Sequence, residues 1–474
     1  MGGQTKKKTS NKPKRKFNTK LCEDDMTFED CELAILRHAV DETEKLQGRK
    51  KVNSKDIQEM LKIVEDFIIK KKLICYGGTA INNILPKDAQ FYNKEVEIPD
   101  YDFFSPNALD DSKKLADIYF KAGYTEIEAK AGMHYGTYKV FVNFIPIADI
   151  TNLVSPIYKS IYKDSITVNG IHYTPPNYLR MSMYLELSRP DGDISRWEKV
   201  LKRLNLLNKY YPLESNNCNM IDFQRKYENK MDPAEKVYMI TRDTFIREGC
   251  VFFGGYASGI YSKLVKSNKH KLQKIPDFDV LSETPEKTAE ILKEQLKKEN
   301  IDIKMKTNAA IGETIPENIE IYLGKDETIA LIHKPIACHS YNEIYIHNNK
   351  IKIATIDTIM SFYLAFIYAD IDLHYDRLLC MATYLFDIQE KNRLKQTGVL
   401  KRFTGSCYGK QETLEDMRSE KAHKYKELKT KQKTREYEEW FLKYTPGEKK
   451  PVRKQTKKNK ESTKPKGFLQ IFGL

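Results

Sequence analysis

Residues 73–81 read LICYGGTAI, and residues 250–258 read CVFFGGYAS. Each stretch is a short apolar segment, typical of a buried strand, that runs into Gly-Gly. An acidic motif repeats downstream, because residues 98–103 read IPDYDF and residues 275–280 read IPDFDV. The two Gly-Gly motifs are 177 residues apart, and so are the two Asp-x-Asp motifs. The same two motifs, in the same order and at the same spacing, indicate an internal duplication.

The segments around these motifs repeat in kind. A helical apolar stripe precedes the first Gly-Gly and consists of Ile57, Met60, Leu61, Val64, Phe67 and Ile68. Asp232 and Pro233 are typical of the start of a helix, and this helix leads to the second Gly-Gly motif. A helical segment follows each Asp-x-Asp, near 111–121 and 285–299. This order predicts an α+β fold with two tandem domains, each a mixed sheet flanked by helices.

Three acids of the first half form a candidate metal site. Asp100 and Asp102 are two residues apart on a predicted strand, so both point to one face. Two adjacent carboxylates repel each other and are costly to bury without a cation. Mg²⁺ suits them because it prefers oxygen ligands from carboxylates and substrate phosphates. A strand predicted over 138–149 ends in Asp149, which would complete a two-metal site.

Gly77, Gly78 and Thr79 form a candidate phosphate loop. Glycines allow the backbone to approach a triphosphate, and a helix beginning at Thr79 would direct its N–H groups and a hydroxyl at the phosphates. Beside three carboxylates, such a loop predicts nucleotidyl transfer, in which one metal activates a 3′-hydroxyl and the other stabilises pyrophosphate. Taken singly, each motif is also compatible with a turn or, at Asp149, a helix cap.

Together, the motifs resemble those of the polymerase-β-like nucleotidyltransferases: Gly-Gly-Ser/Thr, then Asp-x-Asp, then a third Asp on a later strand. Residues 187–190 and 196–204, with the tandem layout, make the chain similar to the poly(A) polymerase catalytic subunit of large nucleocytoplasmic DNA viruses, of the poxvirus, asfarvirus and giant-virus type. The resemblance covers roughly residues 30–390. It implies template-independent polyadenylation of RNA 3′ ends with ATP, release of pyrophosphate, and two Mg²⁺ or Mn²⁺ ions.

The resemblance also implies roles for single residues. Asp100 and Asp102 match the ligands shared by both metals, and Asp149 matches the third carboxylate. The residues that match the phosphate loop are Gly77, Gly78 and Thr79. Arg196, Lys199 and Arg203 share a face of a helix predicted at 195–209. We interpret Lys199 and Arg203 as contacts to ATP phosphates or primer RNA. A solvated basic face is the alternative.

The second half is predicted to be a degenerate nucleotidyltransferase-like domain, a platform for packing and RNA guidance. Asp277 and Asp279 remain, but Tyr256 stands in place of the Ser or Thr. A local alignment places the counterpart of Asp149 near Ile329, with Asp326 and Glu327 two or three residues away. The predicted division is a basic tail (1–25), a catalytic domain (26–190), a helical linker (191–229), the second domain (230–385), a helical segment (386–442) and a basic tail (443–474).

The net charge of +14 is concentrated at the two ends. Residues 1–20 carry eight Lys or Arg and no acid, and residues 443–474 carry ten with two Glu, so each end contributes +8. Such disordered arms suit RNA, or serve solubility or nuclear import. Eight cysteines without C-x-x-C spacing, and no secretion signal, predict a reduced intracellular chain. The sequence contains no run of about 18 apolar residues, so no membrane span is predicted.

Partners and location follow from the resemblance. It implies ATP and an RNA 3′ end or poly(A) as substrates, either a homodimer or a processivity subunit as the assembly, and the virion and host cytoplasm as the location. One alternative is another terminal nucleotidyltransferase, of the uridylyl or oligoadenylate type. A second is a non-catalytic RNA-binding subunit with an inactive nucleotidyltransferase fold, which the intact acids of the first half disfavour.

Overall fold

A computed structural model describes residues 17, 19–215, 218, 233–263, 277–324, 327–346, 349–369 and 371–447. Most of the two predicted basic tails, Asp232, Asp326 and much of the predicted linker lie outside these residues. Two helices come first, α1 (Phe28–Val52) and α2 (Lys55–Lys71). The buried residues of α2 are the six apolar residues of the predicted stripe, which is therefore confirmed.

The first half forms a mixed sheet with helices. Its elements are β1 (Ile74–Cys75), α3 (Gly77–Ile84), β2 (Tyr101–Ser105), α4 (Ala108–Lys121), β3 (Ile127–Ala131), β4 (Thr137–Val142), β5 (Ile145–Asn152), α5 (Ser155–Lys163), β6 (Ile166–Val168), β7 (Ile171–Tyr173) and α6 (Pro176–Leu187). Its strands lie in the order β3-β4-β5-β2-β1-β7-β6. β2 runs parallel to β5 and antiparallel to β1.

The second half repeats this arrangement after the connecting helix α7 (Trp197–Tyr210). Its elements are α8 (Pro233–Arg247), β8 (Val251–Phe253), α9 (Gly254–Ser262), β9 (Phe278–Leu281), α10 (Pro285–Lys297), β10 (Ile303–Asn308), β11 (Asn318–Leu323), β12 (Glu327–His333), β13 (His339–Ile346), β14 (Asn349–Ala354), α11 (Ile356–Ala369) and α12 (Ile371–Lys391). The strand order β10-β11-β12-β9-β8-β14-β13 matches that of the first half strand for strand. The α+β class and the tandem duplication are therefore confirmed.

The two halves share one interior. α6 and α11, which close the two halves, pack against each other along their lengths. The rings of Tyr178 on α6 and Tyr368 on α11 are 5.3 Å apart. Buried apolar residues of both halves belong to one continuous cluster. Among the described helices, none combines the length and apolarity that a bilayer crossing requires.

The end of the described chain returns to the first half. After β15 (Cys407–Tyr408), which pairs with β13, come α13 (Leu414–Leu428), α14 (Arg435–Phe441) and β16 (Lys443–Tyr444). β16 pairs antiparallel with the edge strand β3, and the Tyr444 hydroxyl donates to Asp117 at 2.6 Å. Residues 443–447 were predicted to begin the basic tail, and this is wrong because they satisfy the open edge of a sheet.

Residues 138–149 do not form the single strand that the sequence predicts. They lie in the hairpin of β4 and β5, whose turn consists of Asn143 (φ 50°) and Phe144 (φ 64°). Two consecutive positive φ angles are typical of a tight two-residue hairpin turn, usually built from Asn and Gly. Phe is not a usual residue at the second position of such a turn. The sequence pattern therefore did not reveal the turn at Asn143 and Phe144. Asp149 therefore lies within β5.

Six cysteines form disulfides, which contradicts the prediction of a reduced chain. The pairs are Cys22–Cys31, Cys218–Cys380 and Cys338–Cys407, with Cα–Cα distances of 5.1, 5.4 and 5.2 Å. Two of them join residues 162 and 69 positions apart, which spacing along the sequence does not reveal. Cys22 is buried, although it lies in the predicted tail 1–25. Cys75 and Cys250 are free and buried.

Candidate active site

The Gly-Gly motif and the Asp-x-Asp motif meet at the junction of β1 and α3. Gly77 has a φ of +70°, and a Cβ atom there would lie 3.0 Å from Oδ2 of Asp102. The backbone N–H of Tyr76 donates to the carbonyl of Asp102 at 2.9 Å. Glycine is therefore required at position 77 both for its conformation and for the close approach of the carboxylate. α3 begins at Gly77, two residues before the predicted start.

The three predicted acids lie together. β2 and β5 are parallel neighbours, and Asp102 is in register with Asp149. Burial, followed by the charges of Asp100 and Asp149, raises the pKa of Asp102 to about 7. Burial and the charge of Asp149 also raise the pKa of Asp100. The carboxylates of Asp100 and Asp102 are therefore held in their charged forms at a cost, set first by burial and then by neighbouring negative charge.

One cation touches this cluster directly. β4 pairs with β5 so that Lys139 stands opposite Asp149, and its Nζ forms an ion pair with Oδ2 of Asp149. The charge of Lys139 also lowers the pKa values of Asp100 and Asp102, against the larger effect of burial. Lys139 was not predicted, because the hairpin that pairs it with Asp149 was not recognised. Even a count outward from a turn at Asn143 would have paired Asp149 with Tyr138, because a register shift between Val140 and Phe141 moves the pairing to Lys139.

Thr79 is placed differently from its predicted role. Its side chain is buried, and its Oγ1 donates to the backbone carbonyl of Asp100 at 2.7 Å. The hydroxyl therefore holds the segment that carries the Asp-x-Asp motif. This contact differs from the expected hydrogen bond to a phosphate.

Arg203 reaches the Gly-Gly motif from α7. Its Nη1 and Nη2 atoms lie 2.9 and 3.0 Å from the position that a Cβ atom would occupy on Gly78. Nη2 donates to the Tyr92 hydroxyl at 2.7 Å, and the guanidinium lies 4.9 Å from the ring centre of Phe91. Lys199 instead lines an open groove of about 860 Å³ along α7, which it shares with Phe91 and Arg203.

A further cation near the acids is Arg196. Its Nε atom lies 3.0 Å from Oε1 of Glu186, and its charge lowers the pKa of Asp102. The sequence placed Arg196 on the same helical face as Lys199 and Arg203, without a specific role. The structure places it on the side of Asp102, held by its own acidic partner.

The donor set suits divalent ions. Three carboxylates supply hard oxygen ligands, as Mg²⁺ and Mn²⁺ prefer. The raised pKa of Asp102 reflects the cost of holding these charges together. Because Gly77 and Gly78 have no side chains, the Asp102 carboxylate and the Arg203 guanidinium can lie directly against the loop. The residues present therefore fit a metal-assisted reaction on a phosphate substrate.

The second half has the same backbone geometry around different side chains. Gly254 has a φ of +68°, and a Cβ there would collide with the Asp279 carboxylate. Leu331 on β12 is in register with Asp279, as Asp149 is with Asp102. The predicted counterpart, Ile329, is two residues from this position, because the stretch from Leu331 to Ile353 on β14 is two residues shorter than the stretch from Asp149 to Tyr173 on β7.

An acid does line this site, but from the neighbouring strand. Glu320 on β11 stands opposite Leu331, at the position where β4 carries Lys139. Its carboxylate accepts hydrogen bonds from Thr328 at 2.7 Å and from Asn308 at 3.3 Å. Asp277, Asp279 and Glu320 line a cavity of about 440 Å³. Tyr256, in place of Thr79, packs against the rings of Phe252 and Phe278.

The chain has the fold of a polyadenylate synthase. A solved structure described as "Crystal structure of the Megavirus polyadenylate synthase" superposes with a TM-score of 0.72, covering 92% of this chain and 89% of that chain. The sequences of the two are 20% identical. The similarity therefore extends over both halves of the duplication.

Residues 62–193 match the family model described as Poly(A) polymerase catalytic subunit. An African swine fever virus protein (isolate Pig/Kenya/KEN-50/1950) named "Putative poly(A) polymerase catalytic subunit" is 33% identical over 188 residues, which are 38% of either chain. An Acanthamoeba polyphaga mimivirus protein of the same name is 30% identical over 226 residues, 45% of this chain and 37% of the relative. The chain thus covers less than half of these relatives. The resemblance predicted from the motifs is confirmed.

Proposed function

We propose that the chain is a polynucleotide adenylyltransferase that extends RNA 3′ ends with ATP and releases pyrophosphate. The observation that carries this proposal is the register of Asp102 with Asp149 on adjacent parallel strands, with Gly77 packed against Asp102. The names of the relatives and of the structural neighbour support adenylate as the nucleotide and RNA as the acceptor. No observation favours a uridylyl or oligoadenylate product.

The first half supplies the chemistry in this proposal. Asp100, Asp102 and Asp149 hold two Mg²⁺ or Mn²⁺ ions, which when bound activate the primer hydroxyl and stabilise the leaving pyrophosphate. Gly77 and Gly78 allow the triphosphate to approach the first N–H groups of α3. The three acids thereby face the phosphorus at which the new bond forms.

Residues beyond the acids position the substrates. Arg203, held by Tyr92 at Gly78, offers a forked donor to the triphosphate. Thr79 fixes the backbone at Asp100 and thereby orients the carboxylates of the Asp-x-Asp motif. Lys199 and Phe91 line the groove along α7, where a phosphate and a stacked base of the primer strand are accommodated.

The remaining parts of the chain act on RNA and on assembly. The second half packs against the first and guides RNA, and the basic arms add contacts to the RNA backbone. The relatives are named as catalytic subunits, which supports a partner for this chain, either a second copy or a processivity subunit. Their viral origin supports the virion and the host cytoplasm as the location.

A primer-extension assay tests the proposal. Purified protein is incubated with a labelled RNA primer, Mg²⁺ or Mn²⁺, and each nucleoside triphosphate in turn, and the products are resolved by length. We expect long extension with ATP alone and none from Asp102→Asn. Extension with another nucleotide at equal efficiency would overturn the assignment of adenylate. Full activity of Asp102→Asn would overturn the site.

A further inference from the structure

We propose that Lys139 is a built-in counter-ion that couples metal binding at Asp149 to the arrival of the triphosphate. The inference rests on the proposed function, since it takes Asp149 as a metal ligand and a nucleoside triphosphate as the substrate. In the free protein the Lys139 ammonium forms an ion pair with the Asp149 carboxylate. When the triphosphate binds, it offers the ammonium another anion, and the carboxylate is released to the metal.

The pairing of β4 with β5 brings the side chains of Lys139 and Asp149 together. The two-residue turn and the register shift between Val140 and Phe141 together place Lys139 opposite Asp149, and directly opposite residues of an antiparallel pair have Cβ atoms about 5 Å apart. The Lys139 side chain is 39% exposed and that of Asp149 is 18% exposed. The ammonium therefore sits on the open side of the pair, and its flexible four-carbon stem can move without disturbing the strands.

Arg196 and Arg203, the other two cations described near the site, have partners other than the three acids. Arg196 is paired with Glu186, and the guanidinium of Arg203 is bonded to the Tyr92 hydroxyl. Among the residues that the structure describes, Lys139 is the cation that forms an ion pair with one of the three acids. A divalent ion at Asp149 must displace the ammonium and is repelled by it, until phosphate oxygens attract the ammonium and add ligands to the ion.

The second half shows that this pair is replaced as a unit. At the two positions that correspond to Lys139 and Asp149, it has Glu320 and Leu331. The third acid and the cation opposite it are both absent from these positions. A lysine kept only for the stability of the sheet would not need to change together with the acid.

Mn²⁺ binding, followed by the electron paramagnetic resonance signal of the free ion, tests the coupling without relying on activity. Affinity is measured with and without an ATP analogue that has a methylene group between the α and β phosphates. The variants are Lys139→Met and Lys139→Gln. The control is Lys113→Met, which removes a half-buried ion pair with Glu438 outside the site.

We expect both Lys139 variants to bind Mn²⁺ about fivefold or more tightly in the absence of the analogue, because the competitor is gone. The further gain in affinity that the analogue produces should shrink by a similar factor. Lys113→Met should behave as the wild type. Unchanged or weaker Mn²⁺ binding by both folded Lys139 variants would overturn the inference.

One more variant separates the inference from the proposed function. Asp149→Asn should lose Mn²⁺ affinity whether or not Lys139 acts as a counter-ion. If Asp149→Asn binds Mn²⁺ as the wild type does, then Asp149 is no metal ligand, and the proposed site fails together with the inference. If Asp149→Asn weakens binding and the Lys139 variants change nothing, only the inference fails.

Discussion

The two halves of the chain have one backbone plan and two different sets of charges. In both, the first glycine of Gly-Gly has a φ near +70° and lies against the second acid of Asp-x-Asp. In the first half, the two strands beside this pair carry Asp149 and Lys139, whereas in the second they carry Leu331 and Glu320. The motif pair is thus explained by a tight strand-to-helix turn. The chemistry depends on the two positions beside it.

This comparison limits what the motifs can prove. Gly-Gly followed by Asp-x-Asp persists in a half that has no acid in register on the parallel neighbour of β9. Because the glycine and the acid constrain each other sterically, they are retained together even where the third carboxylate is missing. A chain with only these two motifs is therefore poorly supported as an active enzyme.

Making the first half resemble the second should have the largest effect. Asp149→Leu should reduce primer extension by about a thousandfold or more, because a metal ligand is lost at the reacting centre. Removal of the two acids of the second Asp-x-Asp motif, by Asp277→Asn with Asp279→Asn, should leave the rate within about twofold. The rates are measured with a short primer at saturating ATP. If the two folded variants lost primer-extension activity equally, both halves would contain a working active site.

Arg203 and Lys199 should differ in the substrate that they serve. Arg203→Ala should raise the KM for ATP about tenfold to a hundredfold, since a charged hydrogen bond beside the phosphate loop is lost. Lys199→Ala should weaken binding of the RNA primer and leave the KM for ATP nearly unchanged. Lys45→Ala, which removes an exposed ion pair with Glu42 outside this groove, is the control. A large ATP effect for Lys199 would contradict the placement of that residue.

The two basic arms should affect RNA affinity and leave both halves intact. Deleting residues 1–16 and 448–474 removes +7 at each end, which together equal the net charge of +14, and keeps β16. RNA affinity measured at several salt concentrations should show a flatter salt dependence, because fewer counter-ions are released. The KM for ATP should change less than about twofold. An unchanged salt slope would show that the arms do not contact RNA.

The smallest expected effect is on stability and comes from Asp102. Its pKa is raised in the fold, from 3.8 to about 7, so the protonated form favours folding. This contribution is present below the unfolded value and is lost as pH rises through about 7. In EDTA, wild-type Tm should fall relative to Asp102→Asn by about 2–4 °C between pH 5 and pH 8. Asp88→Asn, at an exposed site, should track the wild type.

The sequence was most informative where spacing alone decides the outcome. Repeated motifs predicted the duplication, and the stripe at 57–68 predicted α2 residue by residue. The three acids were also predicted to lie together. These features depend on periodicity and order, which a single sequence records directly.

Features that depend on distant pairing were missed. The turn at Asn143 and Phe144 has no common turn signature, so both the hairpin and the partner of Asp149 were concealed. The counterpart of Asp149 was misplaced by two residues, because the connection that follows this strand is two residues shorter in the second half, and spacing alone does not show where residues are lost. Disulfides between residues far apart in sequence, and the contact of Thr79 with the Asp100 carbonyl, depend on tertiary packing.

The return of β16 to the edge of the first sheet has a consequence for synthesis of the protein. On the ribosome, the first half emerges long before residues 443–444, so its sheet waits with β3 unpaired while the whole second half is made. An exposed edge strand is a site for wrong pairing with other chains. Chains that stop before β16 should therefore aggregate even though every proposed catalytic residue has been synthesised.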